Sequence, residues 1–436
     1  MEPLGIGLIG CGTVGQGVAQ VLLQKGERLS ARAGRPLELR RIVVRDIRKP
    51  RGALDPSIAA SLYTSDVGQV LRDPAIRVAV ELVGGVDTAR RMVLDCLAAG
   101  KDVVTANKAL LATHGPEIFD AARRHGRAVA FEASVGGGIP IISALTQGLA
   151  ANQITSLQGI LNGTCNFILT SMSEEGTSYD QALAEAKQHG YAEADPTLDV
   201  DGTDAAQKLA ILAQIAFGVG VPVSTIGHRG IASLDKLDIR YSSELGYTIR
   251  LLAEAWLRDQ RLALHVSPVL LRHQAPLALV RGPYNAVHVV GDVVGDTLYY
   301  GQGAGQMPTA SAVIADIVDM AIGRAQRTFQ TMRLWSANGA DIVLLPSTAV
   351  RSRYYLRVMV ADQPGVLAEI AHLLAEYKIS IASVIQHEAL TEHVGDIVPL
   401  VIMTHTASAG DFQTALQKID RLSCVGASSV YYPVAD

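Results

Sequence analysis

The sequence predicts an α/β protein of several domains: a doubly wound parallel sheet first, an α+β region with an antiparallel sheet next, and a compact βαββαβ module last. Three observations carry that expectation. The 436 residues are more than one hydrophobic core usually holds. From Leu4 to Phe131 short apolar runs alternate with helical patterns, as the strands and crossovers of a parallel sheet do. Beyond Ile154 the extended runs alternate or are rich in β-branched residues, which suits antiparallel pairing. The expected domains are 1–133, 134–323 and 354–436, with 324–353 a connector and the 303–323 helix returning to the first domain.

Apolar residues make up 49% of the chain and charged ones 18%, with a formal net charge of -4, the balance of an ordinary soluble globular protein. No basic excess points to nucleic acid. No apolar stretch reaches the roughly 18 residues of a membrane span, and the N-terminus lacks the basic start of a signal peptide. Cys11, Cys96, Cys165 and Cys424 are scattered without a Cys-x-x-Cys pair. That argues against a disulfide framework or a zinc knuckle and for a reducing cytoplasm.

The first strand is expected at Leu4–Ile9, followed at once by Gly10-Cys-Gly12-Thr13-Val14-Gly15 and a helical pattern through Val18, Val21 and Leu22. Strand, glycine turn and helix stand in the order a dinucleotide site needs. The first glycine makes the turn, the second admits a pyrophosphate to the backbone, the third lets helix and strand pack, and the helix start offers N–H groups to the anion. The second strand, 37–44, ends in Arg45-Asp46. The acid would hold the ribose hydroxyls of NAD and the arginine the extra phosphate of NADP. Arg45 comes first and tilts the expectation to NADP, with NAD left open.

Further strands are expected at 78–83, 102–105 and 128–131, with helices at 88–98 and 116–124 between them. Glu81-Leu-Val-Gly84-Gly85 and Thr105-Ala-Asn107-Lys108 then fall at carboxyl ends of strands, where ligands bind in such sheets. Lys108 reads equally well as a surface lysine. Glu132-Ala-Ser-Val135-Gly-Gly137-Gly-Ile139-Pro140 closes the sheet and opens a helix. Its small residues leave carbonyls able to ring a hard cation beside one carboxylate, or serve as a hinge.

Gln158-Gly-Ile-Leu-Asn162-Gly163-Thr164-Cys-Asn166 reads as a strand, a turn and a helix start, and a helix is expected over 179–188. Extended runs follow at 248–257, 262–270 and 286–290, with a turn at 291–295. Tyr300-Gly-Gln-Gly303-Ala-Gly305 precedes a helix over 309–323, a placement from which it could close over a nucleotide.

Five carboxylates and one lysine crowd into Gly190-Tyr-Ala-Glu193-Ala-Asp195-Pro-Thr-Leu-Asp199-Val-Asp201-Gly-Thr-Asp204-Ala-Ala-Gln-Lys208. The stretch to Gly202 reads as an irregular loop, and 204–217 as a helix entered through Asp201 or Thr203. Asp204 and Lys208 stand at i and i+4, a spacing that serves a solvated ion pair as well as a catalytic one. Leu209, Ile211, Leu212 and Ile215 make most of the helix apolar, so the lysine is expected in a partly desolvated cleft, where it becomes a usable proton donor. A calcium loop fails because Thr197 and Lys208 would take its end positions.

After a connector with few periodic signals, strands at 354–360, 381–385, 397–403 and 428–432 alternate with helices to complete a ferredoxin-like order. The first of those helices follows Asp362-Gln-Pro364-Gly365 and the second spans 411–419. His387-Glu388 with Glu392-His393 misses the spacing of a zinc-protease helix.

Over nearly the whole chain these motifs resemble homoserine dehydrogenase. The acidic segment at 190–208 is the most specific. Asn162-Gly-Thr-Cys-Asn-Phe167, and Gly303-Ala-Gly305 with Pro308-Thr-Ala, add support, and the module with Asp362-Gln-Pro-Gly-Val-Leu367 looks like an ACT domain, a small-ligand sensor. The resemblance implies a Rossmann domain, a substrate and dimerisation domain and an ACT domain, and interconversion of L-homoserine and L-aspartate 4-semialdehyde with NAD(P) in threonine, methionine and isoleucine biosynthesis. It implies Lys208 as proton donor to the developing alkoxide and Lys108 near nicotinamide and substrate. Glu193 and Asp204 would hold the substrate ammonium and orient Lys208. Gly10, Gly12, Thr13, Val14, Gly15, Arg45, Lys108, Gly163 and Gly303 would contact the cofactor, and Glu132 with the carbonyls of Val135, Gly137 and Ile139 would bind sodium. Asn166 stands where some family members carry an acid. Threonine near Gly365, in the 362–367 turn, is the expected feedback effector, and a homodimer or homotetramer the expected assembly.

Two other classes fit less well. Another semialdehyde or hydroxy-acid dehydrogenase is the nearer one, but an aspartate-semialdehyde dehydrogenase would need a cysteine in the acidic cluster. An amino-acid-sensing regulator with an inactive dehydrogenase domain is at odds with the intact glycine turn, Lys108 and Lys208.

Overall fold

The computed structural model describes residues 2–49, 51, 61–336, 341–387 and 397–435; Glu388, Glu392 and His393 lie outside them. The chain divides into two compact units. The first comprises Met1–Leu157, Gln207–Ser224 and Tyr284–Ile342, and the second Gln158–Ala206, Thr225–Pro283 and Val343–Asp436.

In the first unit β1 (Leu4–Ile9), β2 (Leu37–Val43), β3 (Tyr63–Thr64), β4 (Ile76–Glu81), β5 (Asp102–Thr105) and β6 (Val129–Ala130) form a parallel sheet in the order 3-2-1-4-5-6. Every residue of β1 is buried, as a central strand covered on both faces must be. Strand order reverses beside β1, so the carboxyl ends of β1 and β4 flank the crevice where such sheets bind ligands. The helix expected from Pro116 instead runs Lys108–Arg124, with a kink at His114. Asn107 starts it by accepting Leu110 N at 3.1 Å, and the kink accommodates the proline that obscured the earlier turns.

Two later helices join this unit. Gln306–Ala321 packs on the Thr13–Gln24 helix so closely that a Cβ on Gly17 would stand 3.1 Å from that of Ala310. Arg324–Met332 is a helix where the sequence suggested only a connector. It buries Phe329, which stacks on Phe119 at 5.4 Å, and Trp335 just beyond packs on the same ring at 4.4 Å. Within the helix itself one aromatic carries the attachment, too little to show as periodicity.

β7 (Ile154–Ile160) carries the chain from the first unit to the second, where β8 (Gly227–His228) precedes the long antiparallel pair β9 (Tyr247–Arg258) and β10 (Arg261–Arg272). The hairpin β11 (Tyr284–Gly291) and β12 (Gly295–Gln302) belongs to the first unit. The rest of the second unit brings β13 (Val343–Leu344), β14 (Arg351–Ala361), β15 (Ile381–Gln386), β16 (Ile397–Thr404), β17 (Ala407–Ser408) and β18 (Val425–Ala435). Its sheet runs β9-β10-β18-β14-β16-β15. It is mixed rather than purely antiparallel, because β13, β8 and β18 each pair with β10 in parallel. β18 outruns the C-terminal module: most of it pairs with β14, and Val434–Ala435 reaches Leu270–Leu271.

The helices Val366–Glu376 and Ala409–Ile419 cover one face of the C-terminal module. Leu356, Val358, Ile370, Leu374, Leu400, Ile402 and Phe412 form its core, with Tyr354 stacked on Phe412 at 4.0 Å. Across the described residues no helix is long and apolar enough to cross a membrane. All four cysteines are buried free thiols.

Candidate active site

The glycine turn after β1 is fixed by space. A Cβ on Gly10, whose φ is 100°, would stand 2.6 Å from the Leu82 carbonyl oxygen, and one on Gly15 would stand 2.4 Å from that of Gly10. Around Gly12 nothing lies within 4 Å of the Cβ position, so the backbone is open to a ligand there. Thr13 and Val14 begin the helix, whose first N–H groups take no side-chain cap. Open backbone and uncapped helix start together fit a pyrophosphate. Past β2, Arg45 and Asp46 are exposed. The Asp46 carboxylate accepts Arg48 N at 2.8 Å, and its carbonyl accepts Arg51 Nη2 at 2.9 Å, so this acid is turned into its own basic loop.

At the ends of β4 and β5, buried Glu81 accepts Thr105 Oγ1 at 2.7 Å and Val83 N at 2.8 Å. Thr105 Oγ1 in turn accepts Asn107 N at 3.0 Å, and Asn107 Nδ2 donates to the Gly85 carbonyl at 2.7 Å. This network fixes the start of the helix whose first residue is half-buried Lys108. Polar residues at the ends of apolar strands were its signal in the sequence.

Glu132 opens a short 3-10 turn. Its carboxylate accepts Ile142 N and Ser143 N, each at 2.8 Å, and Ser143 Oγ at 2.6 Å, while its own N–H donates to Asp316 Oδ2 at 2.9 Å. Burial pushes the carboxyls of Glu132 and Asp319 up from the usual range, and that of Asp316 well above it, with Glu132 adding to the last. Gly137, at φ 55°, has no room for a Cβ, which would lie 2.4 Å from the Gly303 carbonyl oxygen, and Gly138 N donates to Gln302 O at 2.9 Å. The turn at Gly303 therefore lies directly on Gly137 and Gly138. Among the described residues no group of three or more His, Cys, Asp or Glu is arranged to hold a metal. The Glu132 carboxylate is committed to a helix start, and the Ile139 carbonyl accepts Ile141 N.

In the second unit Asn162 caps the Gly163–Glu174 helix, accepting Cys165 N at 2.8 Å. Its Nδ2 donates to Asp199 Oδ1 at 2.8 Å and to Asp204 Oδ2 at 2.9 Å. Thr164 Oγ1 donates to the Tyr191 carbonyl at 2.7 Å and to Asp199 Oδ2 at 3.2 Å. The expected loop contains a helical turn, Thr197–Val200, started by Asp195, which accepts Thr197 N and Oγ1 and is held below the usual carboxylate range by them. Asp201 accepts Thr203 N at 2.8 Å at the entry of the Thr203–Phe217 helix.

Asp199 and Asp204 are thus gathered around one amide, whereas Glu193 is exposed. Asp204 is buried, and Lys208, one turn along the same helix, is half-buried. Gly163 is the first residue after the Asn162 cap. Asn166 Nδ2 donates to the carbonyls of Val280 at 3.3 Å and Gly282 at 2.9 Å, a tie between a helix and the turn before β11. Asn162 and Asp199 were missed as site residues; the Asn-Gly-Thr helix start was the available signal.

A doubly wound sheet with an open glycine turn at its first strand defines the class of nucleotide-binding oxidoreductases. Models of the homoserine dehydrogenase NAD-binding domain, the homoserine dehydrogenase domain and the ACT domain match residues 10–132, 140–318 and 354–424. The chain belongs to the homoserine dehydrogenase family. It is 44% identical to the homoserine dehydrogenase of Pseudomonas aeruginosa over 435 residues, covering 98% of this chain and 97% of that protein. The crystal structure of a homoserine dehydrogenase from Thiobacillus denitrificans superposes with a TM-score of 0.91 at 43% identity, over 100% of this chain and 99% of that one. A hyperthermophilic archaeal homoserine dehydrogenase in complex with NADPH matches 74% of this chain and 98% of its own, with a TM-score of 0.62 at 28% identity.

Proposed function

We propose that the chain interconverts L-homoserine and L-aspartate 4-semialdehyde with NADP(H), using NAD less well, in threonine, methionine and isoleucine biosynthesis. The arrangement that supports this reading is the buried Asn162–Asp204 pair at the start of the helix that carries Lys208. The bound nicotinamide supplies or accepts the hydride. Lys208 gives a proton to the substrate oxygen as the carbonyl becomes a hydroxyl, and takes it in the reverse direction. Asp204, oriented by Asn162, and Glu193 hold the substrate ammonium and orient Lys208. Lys108 stands by nicotinamide and substrate on the Glu81–Thr105–Asn107 network.

Gly10, Gly12, Thr13, Val14, Gly15, Gly163 and Gly303 are assigned to the cofactor. The turned-in carboxylate of Asp46 and the exposed Arg45 favour NADP, as does the archaeal relative's NADPH. Sodium is assigned to the main-chain oxygens of Glu132, Val135, Gly137 and Ile139. The domains are taken as 1–133, 134–323 and 354–436, the last sensing threonine at the 362–367 turn, where Gly365 in the left-handed region starts a helix. A cytoplasmic homodimer or homotetramer is the assembly favoured, with exposed Leu298 and Tyr300 on β12 available for it.

Steady-state oxidation of L-homoserine with NADP and with NAD tests this function. Turnover with a higher kcat/KM for NADP is expected. Cofactor binding without any turnover would overturn the reading in favour of a regulator.

A further inference from the structure

Glu81 is the last residue of β4 and only 1% exposed. In register it pairs with Ile9 of β1 on one side and Thr105 of β5 on the other, so it lies between the nucleotide turn and the approach to Lys108. We propose that Glu81 is a positioning residue for the reaction, a buried carboxylate that holds Lys108 in a fixed place relative to the nucleotide turn. The proposal rests on the reading that Lys108 stands by nicotinamide and substrate.

The hydrogen bonds around Glu81 close into a ring. Its Oε1 accepts Val83 N at 2.8 Å, and its Oε2 accepts Thr105 Oγ1 at 2.7 Å. Thr105 Oγ1 accepts Asn107 N at 3.0 Å, and Asn107 Nδ2 returns to the Gly85 carbonyl, two residues beyond Val83, at 2.7 Å. One side of the ring rests on the nucleotide turn: Leu82 N donates to Ile9 O at 2.8 Å, and the Leu82 carbonyl oxygen is the atom that a Cβ on Gly10 would strike. On the other side Asn107 caps the helix that Lys108 begins. Within the ring Gly84 and Gly85 have φ of 76° and 73°, with nothing inside 4 Å of either Cβ position. Their main chain is as open to a ligand as that of Gly12.

The direction of each bond explains why the residue is an acid. Asn107 N–H points at the Thr105 oxygen, so the hydroxyl hydrogen is left to donate onward, and Val83 N–H donates as well. Glu81 must therefore accept twice. A carboxylate does so, whereas an amide turned either way sets its own N–H2 against one of the two donors. Burying a carboxylate for packing alone is unfavourable. Here it ties together two segments that border one crevice, with hydrogen bonds made stronger by charge and by the absence of water.

The test is a double-mutant cycle on the full-length protein that combines Thr105→Val with Lys108→Ala, beside Glu81→Gln and Thr105→Ser. It is read by fluorescence titration of NADPH and by kcat/KM for L-homoserine. Thr105→Val should raise the Kd and lower kcat/KM about tenfold where Lys108 is present, and change each less than twofold in the Lys108→Ala background, because a group acting through Lys108 has nothing left to act on. Glu81→Gln should lose at least as much, and Thr105→Ser, which keeps the hydroxyl, should restore most of both values. Valine matches threonine in shape and suits a strand, so Thr105→Val reports even where Glu81→Gln impairs folding. A Thr105→Val loss retained in full without Lys108 would reduce the ring to a support of the fold and overturn the proposal. Wild-type values in Thr105→Val or Glu81→Gln, with Lys108→Ala impaired, would overturn it while leaving Lys108 in the site. Wild-type values in Lys108→Ala would overturn the reading of Lys108 on which it rests.

Discussion

Asn162 and Asp204, both buried, are joined by a 2.9 Å hydrogen bond from amide Nδ2 to carboxylate Oδ2. The same side chain caps a helix through its oxygen, and Asn162→Asp separates the two jobs. Aspartate caps as well as asparagine but cannot donate, so the helix start survives while three carboxylates are forced together. A KM for L-homoserine raised about tenfold and a stability loss of about 1–3 kcal/mol are expected. Initial rates and urea unfolding measure both; an unchanged KM would detach Asn162 from the substrate site.

Lys208→Ala should lower kcat about 100-fold or more while the Kd for NADPH, read by fluorescence titration, stays as in wild type. Activity that survives in this variant would move the proton donor to Lys108 or to water.

Arg45 is exposed beside Asp46, whose carboxylate accepts Arg48 N, so Arg45 is the cation of that pair placed to meet a 2′-phosphate. Arg45→Ala should raise KM for NADP about tenfold, the loss of one charge-assisted hydrogen bond, and leave KM for NAD unchanged. An equal rise for both cofactors would assign Arg45 to the pyrophosphate instead.

Asp238 is fully buried and accepts Arg357 Nε at 2.6 Å and Nη2 at 2.9 Å, with the Tyr355 hydroxyl donating at 3.0 Å. This carboxylate holds the Arg357 guanidinium above its ordinary pKa range, and burial, with Asp238 adding to it, pushes the Tyr355 hydroxyl well above its own. It ties the Lys236–Glu244 helix to the ACT strand β14. Asp238→Ala strands a buried guanidinium and should cost about 3–5 kcal/mol, whereas Asp238→Leu with Arg357→Met should recover much of the loss. Chemical unfolding distinguishes these outcomes, and a single variant as stable as wild type would show that the pair contributes nothing.

Burial and the neighbouring Glu132 hold Asp316 protonated well above the usual Asp range. A folded-state pKa above the unfolded one means that stability falls as pH rises from about 4 towards the raised value. Asp316→Asn removes that loss. Its Tm should exceed wild type by about 2–4 °C near neutral and alkaline pH, and the two should converge near the ordinary Asp pKa. Thermal scans across that range decide it; parallel curves would assign the pH dependence elsewhere.

Much of the fold was legible because it rests on local pattern. The short apolar runs and the Gly10–Gly15 turn set out the parallel sheet, and the helix over 179–188 was read to the residue because Ser178 and Gln181 form a reciprocal cap. The Arg324–Met332 helix escaped because its anchor, Phe329, finds its partner at Phe119, some two hundred residues away. Within the candidate site the 190–208 segment announced its acids, but nothing local distinguishes Asp199, held by Asn162 and Thr164, from the exposed Glu193.

The sequence by itself determined most strands of the parallel sheet, where a nucleotide turn lies, and the family to which the chain belongs, since each is written in spacing along a few residues. Only the tertiary structure decided which carboxylates meet, that Glu132 spends its side chain on a helix start, and that Asp238 finds Arg357 across 119 positions. Those pairings depend on desolvation and hydrogen-bond geometry between distant segments, and only the packed chain supplies either.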